Sequence, residues 1–71
     1  MRYFIGIDIG GTKIAGAIVN QHGKILSRVK ISSPAKANPN TIFKCLTDLI
    51  EELRLMARIP MSKIEGIGVG V

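Results

Sequence analysis

The stretch "IGIDIGGTK", residues 5 to 13, ends an apolar β-branched run on a single carboxylate, Asp8, and follows it with Gly10, Gly11, Thr12 and Lys13. These residue types suit a polyphosphate and its metal. Glycines can take backbone angles closed to other residues and can let N–H groups approach a phosphate closely. Thr12 adds a hydroxyl, Lys13 a cation, and Asp8 a hard oxygen for Mg2+ or for a water bound to it. A plainer reading uses the same residues, with the glycine pair as a tight hairpin turn and Asp8 as an exposed strand end.

Spacing removes two common nucleotide loops. The pattern GxxxxGK followed by Ser or Thr nearly fits from Gly6, but here Thr12 precedes Lys13, and the segment enters a strand and not a helix. Gly66, Gly68 and Gly70 are spaced as GxGxG, where a dinucleotide fold needs GxGxxG and a helix start after it.

The elements that would position Asp8 follow from periodicity. In "YFIGIDI", residues 3 to 9, Tyr3, Ile5, Ile7 and Ile9 share one face, which leaves Asp8 with Phe4 and Gly6 on the other. A second β-like run covers 13 to 19, and "NQHG" at 20 to 23 supplies hairpin-turn residues. A third run, 24 to 32, alternates Ile25, Ser27, Val29 and Ile31 against Lys24, Leu26, Arg28 and Lys30, so the three strands make an antiparallel meander.

After the breaker-rich "SPAKANPN" at 33 to 40, Ile42, Leu46, Leu49, Ile50, Leu53 and Met56 recur as the stripe of an amphipathic helix. Asn38 before Pro39 is an N-cap with proline at the first helical position, Asn40 is the rival cap, and Pro60 closes the element. Lys44, Glu51, Glu52 and Arg54 form the solvated face. In "KIEGIGVGV", 63 to 71, Gly66, Gly68 and Gly70 share a face with Ile64, and Ile67, Val69 and Val71 take the other, a strand that something can approach closely. Following a long helix, it returns parallel to the first strand. The expected order is β-β-β-α-β, an α/β unit.

Composition bounds the function classes. A chain of 71 residues is one small domain at most. The net charge of +5 is spread over Lys24, Arg28, Lys30 and Lys36 among apolar residues, and stacking aromatics are limited to Tyr3, Phe4 and Phe43, which argues against a nucleic-acid partner. Cys45 is alone, so the chain holds no internal disulfide and no multi-cysteine metal site. No run approaches the ~18 apolar residues of a membrane span and no signal peptide is evident, so the default compartment is cytoplasmic.

"GIDIGGTKIAGAIV", residues 6 to 19, resembles the first phosphate motif of the ROK family of sugar kinases and sugar-responsive repressors, within the ribonuclease H-like, actin-like ATPase superfamily. The resemblance extends to the order of elements and to "IEGIGVGV" as the fourth strand, so it covers essentially all 71 residues. It implies that Asp8 lies near the Mg2+ of ATP, acting on it through water. It implies also that Gly10, Gly11, Thr12 and Lys13 hold the β and γ phosphates for transfer to a hydroxyl of a hexose, glucose or a related sugar.

On this resemblance residues 1–71 are the opening part of an N-terminal ATPase lobe, with the catalytic base expected downstream of Val71 and a zinc site, common in the family, without ligands here. The family's repressors carry a helix-turn-helix ahead of this motif, whereas here the motif begins a few residues from Met1, which favours the kinase branch. Alternatives are a non-catalytic binding or association domain of the same fold and a fragment of such a repressor. The partners implied are a sugar and ATP. Self-association through exposed apolar surface is expected as well, because one sheet face has no element in these residues to cover it.

Overall fold

The computed structural model describes residues 1–34 and 38–71, so the middle of the breaker-rich segment, with Lys36, lies outside the described residues. The chain runs β1 (Tyr3–Ile9), β2 (Lys13–Asn20), β3 (Ile25–Ser32), α1 (Pro39–Ala57), a 3-10 turn (Met61–Lys63) and β4 (Ile64–Gly70). The strands form one sheet in the order β3-β2-β1-β4, antiparallel across the first three and parallel between β1 and β4. The order β-β-β-α-β expected from periodicity is the one observed, with the 3-10 turn as an addition.

Alternation decides which side chains meet the helix. Ile5 and Ile7 of β1, Ile14 and Ile18 of β2 and Val29 of β3 form one stripe, and Leu49 and Leu53 of α1 close over it together with Ile59. Burying side chains of this size contributes about 1.5–3 kcal/mol each, and that burial seats α1 more than helix propensity does. Gly16 sits inside the stripe: a Cβ there would stand 3.0 Å from Leu53 Cδ1 and 3.1 Å from Leu49 Cδ2. The missing side chain lets α1 lie close on β2.

Two register shifts change what simple alternation predicts. Ile18 faces Ser27 but Val19 faces Ile25, so Leu26 is an extra residue in β3. A bulge of this kind reverses the parity of the residues beyond it. Leu26 therefore packs against the core and Ile25 is 46% exposed, the reverse of the alternation expected at those two positions, while Ser27, Val29 and Ile31 keep the expected face. In β4, Tyr3 pairs with Ile64 and Phe4 with Gly66, which leaves Glu65 extra. Ile64 thus joins the core side and does not share the glycine face.

The helix starts as expected and ends differently. Asn38 caps it, its side chain accepting the Thr41 N–H at 2.9 Å, and Pro39 is the first helical residue. Termination falls to Arg58, in the left-handed region at φ 58°, whose N–H reaches the Arg54 and Leu55 carbonyls, and Pro60 lies beyond the end. Positions 49, 53 and 57 step by fours toward the sheet, so Ala57 takes the last core position and Met56 is exposed. Arg54 is not on the solvated face either: its side chain is 18% exposed, donates to the Ile59 carbonyl and pairs with Glu51. Lys44 does lie on that face, paired with Asp48 at 3.2 Å.

Candidate functional site

β1 and β2 are joined by the turn Gly10–Lys13, and the site is built around it. Gly10 donates its N–H to the Lys13 carbonyl at 2.8 Å. Ser33, the residue after β3, donates its N–H to the Thr12 carbonyl at 2.9 Å and its hydroxyl to the Gly10 carbonyl at 3.4 Å. Among the described residues the N–H groups of Gly11 and Thr12 have no partner.

Gly10 and Gly11 do not use the left-handed backbone region that their residue type permits. Positive φ occurs instead at Gly23, at 84°, in the second hairpin, where Asn20 Oδ1 accepts the His22 and Lys24 N–H groups. What Gly10 and Gly11 contribute is their missing side chains. A Cβ on Gly10 would stand 3.1 Å from the Lys13 carbonyl oxygen, and nothing lies within 4 Å of one on Gly11. The Gly11 backbone is therefore bare toward solvent.

Asp8 emerges on the sheet face opposite α1, exposed and without a partner among the described residues. Pairing sets Lys30, Ala15, Asp8 and Gly70 in one row across the four strands, and Arg28, Ala17, Gly6 and Gly68 in the next. The floor of this face is made of glycine and alanine, and a concavity of about 490 Å³ opens over Gly6, Asp8, Ala15 and Ala17 beside Arg28 and Lys30. With strands about 4.8 Å apart, Lys30 stands two strands from Asp8, close enough for both charges to act on one ligand. Lys13, exposed, shares this face by alternation with Ala15.

The structure thus gathers Asp8, Gly10, Gly11, Thr12 and Lys13 at one end of the sheet. Ser33 was not among the candidates, and its only signal is long range: the pairing of Lys13 with Ser32 brings it to the turn. Among the described residues no group of three His, Cys, Asp or Glu side chains could hold a metal. A divalent ion at Asp8 would take its remaining ligands from water and phosphate oxygens, the usual arrangement for Mg2+. No helix of the described residues is long and apolar enough to cross a membrane.

The β4 edge is open. Gly68 has nothing within 4 Å of a Cβ position, and on the helix side Ile67 and Val69 are 42% and 53% exposed because α1 lies over β2 and β3.

Comparison with known proteins places these features together. The N-acetylmannosamine kinase of Salmonella newport (strain SL254) is 39% identical over 54 residues, which is 76% of this chain and 19% of that enzyme. The inorganic polyphosphate/ATP-glucomannokinase of Arthrobacter sp. strain KM superposes with a TM-score of 0.79 at 34% identity, covering 97% of this chain and 28% of the other. A ROK family glucokinase from Streptomyces griseus, solved with glucose and AMPPNP, gives 0.61 at 34% identity, covering 96% and 20%. The chain therefore spans 19% to 28% of the length of these relatives. Its mixed four-strand sheet and helix are part of the ribonuclease H-like, actin-like ATPase fold that the sugar kinases share. The ROK family model matches residues 4–71, from β1 through the glycine turn to the end of β4, and the chain belongs to the ROK family.

Proposed function

We propose that residues 1–71 are part of the N-terminal ATPase lobe of a cytoplasmic sugar kinase, which transfers the γ-phosphoryl group of ATP to a hydroxyl of a hexose such as glucose or a related sugar. The observation that carries this reading is that two N–H groups, at Gly11 and Thr12, and the carboxylate of Asp8 lie together at one end of the sheet without partners among the described residues. An anion fits the first and a hydrated cation the second. The glycines leave room for phosphate at the backbone, and Lys13 and Lys30 add positive charge on the same face.

In this reading Gly10, Gly11, Thr12 and Lys13 bind and orient the β and γ phosphates, and Asp8 holds the Mg2+ through water. Bound Mg·ATP supplies the phosphoryl group, and the lobe contributes positioning and charge neutralisation. Asp48 does not serve as the base for the sugar hydroxyl: it lies on the exposed face of α1, paired with Lys44. That base, the sugar contacts and any zinc site belong to other parts of the kinase.

The test is a titration of the 15N-labelled chain with Mg·ATP. Amide shifts at Gly11 and Thr12 are expected, with weak affinity, since one lobe meets only part of the nucleotide. Asp8→Ala should weaken binding about tenfold or more, the effect of losing a charged partner, and the difference should vanish when Mg2+ is chelated. Tight binding indifferent to Asp8→Ala contradicts the assignment. At the level of the whole kinase, the protein encoded by the reading frame through and beyond these residues should phosphorylate glucose, mannose or N-acetylmannosamine with ATP.

A further inference from the structure

We infer that Ser33 is a positioning residue for the turn Gly10–Lys13, fixing the direction of the Gly11 N–H, one of the two that meet phosphate; this rests on the reading of that turn as the phosphate site. Ser33 lies 23 residues from Gly10 in sequence, and it reaches the turn because β2 pairs with β3 up to Lys13 and Ser32. Its two donors grip two carbonyls of the same turn, Thr12 at 2.9 Å through the backbone and Gly10 at 3.4 Å through the hydroxyl.

The consequence follows from the geometry of the peptide unit. No peptide bond among the described residues is cis, and in a trans peptide the C=O and the N–H point in opposite directions. Holding the Gly10 carbonyl toward Ser33 sends the Gly11 N–H away from Ser33, and holding the Thr12 carbonyl does the same to the Lys13 N–H. A glycine pair has the widest choice of backbone angles, so without this grip the Gly10–Gly11 peptide is free to turn over. Turned over, it would present a carbonyl oxygen to an anion in place of a donor. The hydrogen bond also polarises the peptide, which makes its N–H a stronger donor.

The backbone bond to Thr12 needs only an N–H, which any residue but proline supplies. The hydroxyl is the part specific to Ser33, and it meets the Gly10 carbonyl in an exposed contact of 3.4 Å. It touches no ligand in this arrangement; it acts through Gly10 and Gly11.

The experiment compares the wild-type chain with Ser33→Ala and with the pair Ser33→Thr and Ser33→Val, which share a shape and differ in the hydroxyl. Mg·ATP affinity is read from 15N amide shifts, and hydrogen exchange at Gly11 is read without ligand. Ser33→Ala and Ser33→Val should bind about two- to threefold more weakly, the loss of one long, exposed hydrogen bond. Both should show a displaced, faster-exchanging Gly11 amide, and Ser33→Thr should restore both readouts. Equal binding and an unmoved Gly11 amide in folded Ser33→Val overturn the role of Ser33 and leave the phosphate reading standing. A wild-type chain whose Gly11 and Thr12 amides ignore millimolar Mg·ATP overturns the phosphate reading, and the positioning role with it.

Discussion

Adding one methyl group at Gly16 tests whether α1 is seated by close approach to β2. In Gly16→Ala the new carbon would lie 3.0 Å from Leu53 Cδ1, 3.1 Å from Leu49 Cδ2 and 3.4 Å from Leu49 Cγ. Carbon pairs prefer about 3.5–4.0 Å, so both leucines must retreat by several tenths of an ångström. Neither has slack, at 1% and 0% exposure for Leu49 and Leu53. Overpacking a filled core costs about 1–3 kcal/mol, and replacing Gly by Ala returns about 0.4–1 kcal/mol through the unfolded chain. The net loss is about 1–2 kcal/mol, a fall in Tm of roughly 5–15 °C for a domain of this size. Thermal and urea denaturation followed by circular dichroism give the measurement. Gly68→Ala is the control, because nothing lies within 4 Å of its new carbon and it should be as stable as the wild type or slightly more so. If Gly16→Ala matched that control, Gly16 would not be what admits the two leucines, and the seating argument would fail.

Asn38→Ala removes the acceptor of the Thr41 N–H and should lower stability by about 1 kcal/mol, visible as a lower urea midpoint, while Asn38→Asp keeps the acceptor and the midpoint. An unchanged midpoint in Asn38→Ala would show that the cap bond is replaced by water at no cost. The open β4 edge with exposed Ile67 and Val69 should make the chain self-associate as concentration rises, and Ile67→Lys with Val69→Lys should suppress this in sedimentation velocity. A wild-type chain that sediments as a monomer at all concentrations tested counts against an active edge.

What was legible in the sequence is what a single strand or helix decides for itself. Asp8 could be separated from the Ile5, Ile7 and Ile9 stripe because alternation in β1 is unbroken, and Asn38–Pro39 could be read as a helix start because the cap bond to Thr41 is local. The errors arise where two elements negotiate. The placement of Ile25 and Ile64 failed because each sits beyond a one-residue register shift, and a bulge carries no fixed residue signature in Lys24–Ser27 or Lys63–Gly66. Arg54 was misplaced because its partner is the Ile59 carbonyl, exposed to it only once Arg58 has turned the chain.

The site divides along the same line. Asp8, Gly10, Gly11, Thr12 and Lys13, the proposed site, are legible because their residue types suit that chemistry, an acid for a cation and bare backbone for an anion. Of the two reasons for the glycines, the left-handed backbone region is not used by Gly10 or Gly11, and what remains is close approach to the bare backbone; in the proposed reading their freedom is a liability for a site that must present donors in one direction. In the inference drawn for Ser33, just after β3, that liability is met by a contact that depends on sheet register and so leaves no trace in the motif. Read as a phosphate site, the glycine-rich turn is half a specification. The other half is whatever holds its carbonyls, and in this fold the meander supplies it by ending β3 beside the turn that β1 and β2 enclose.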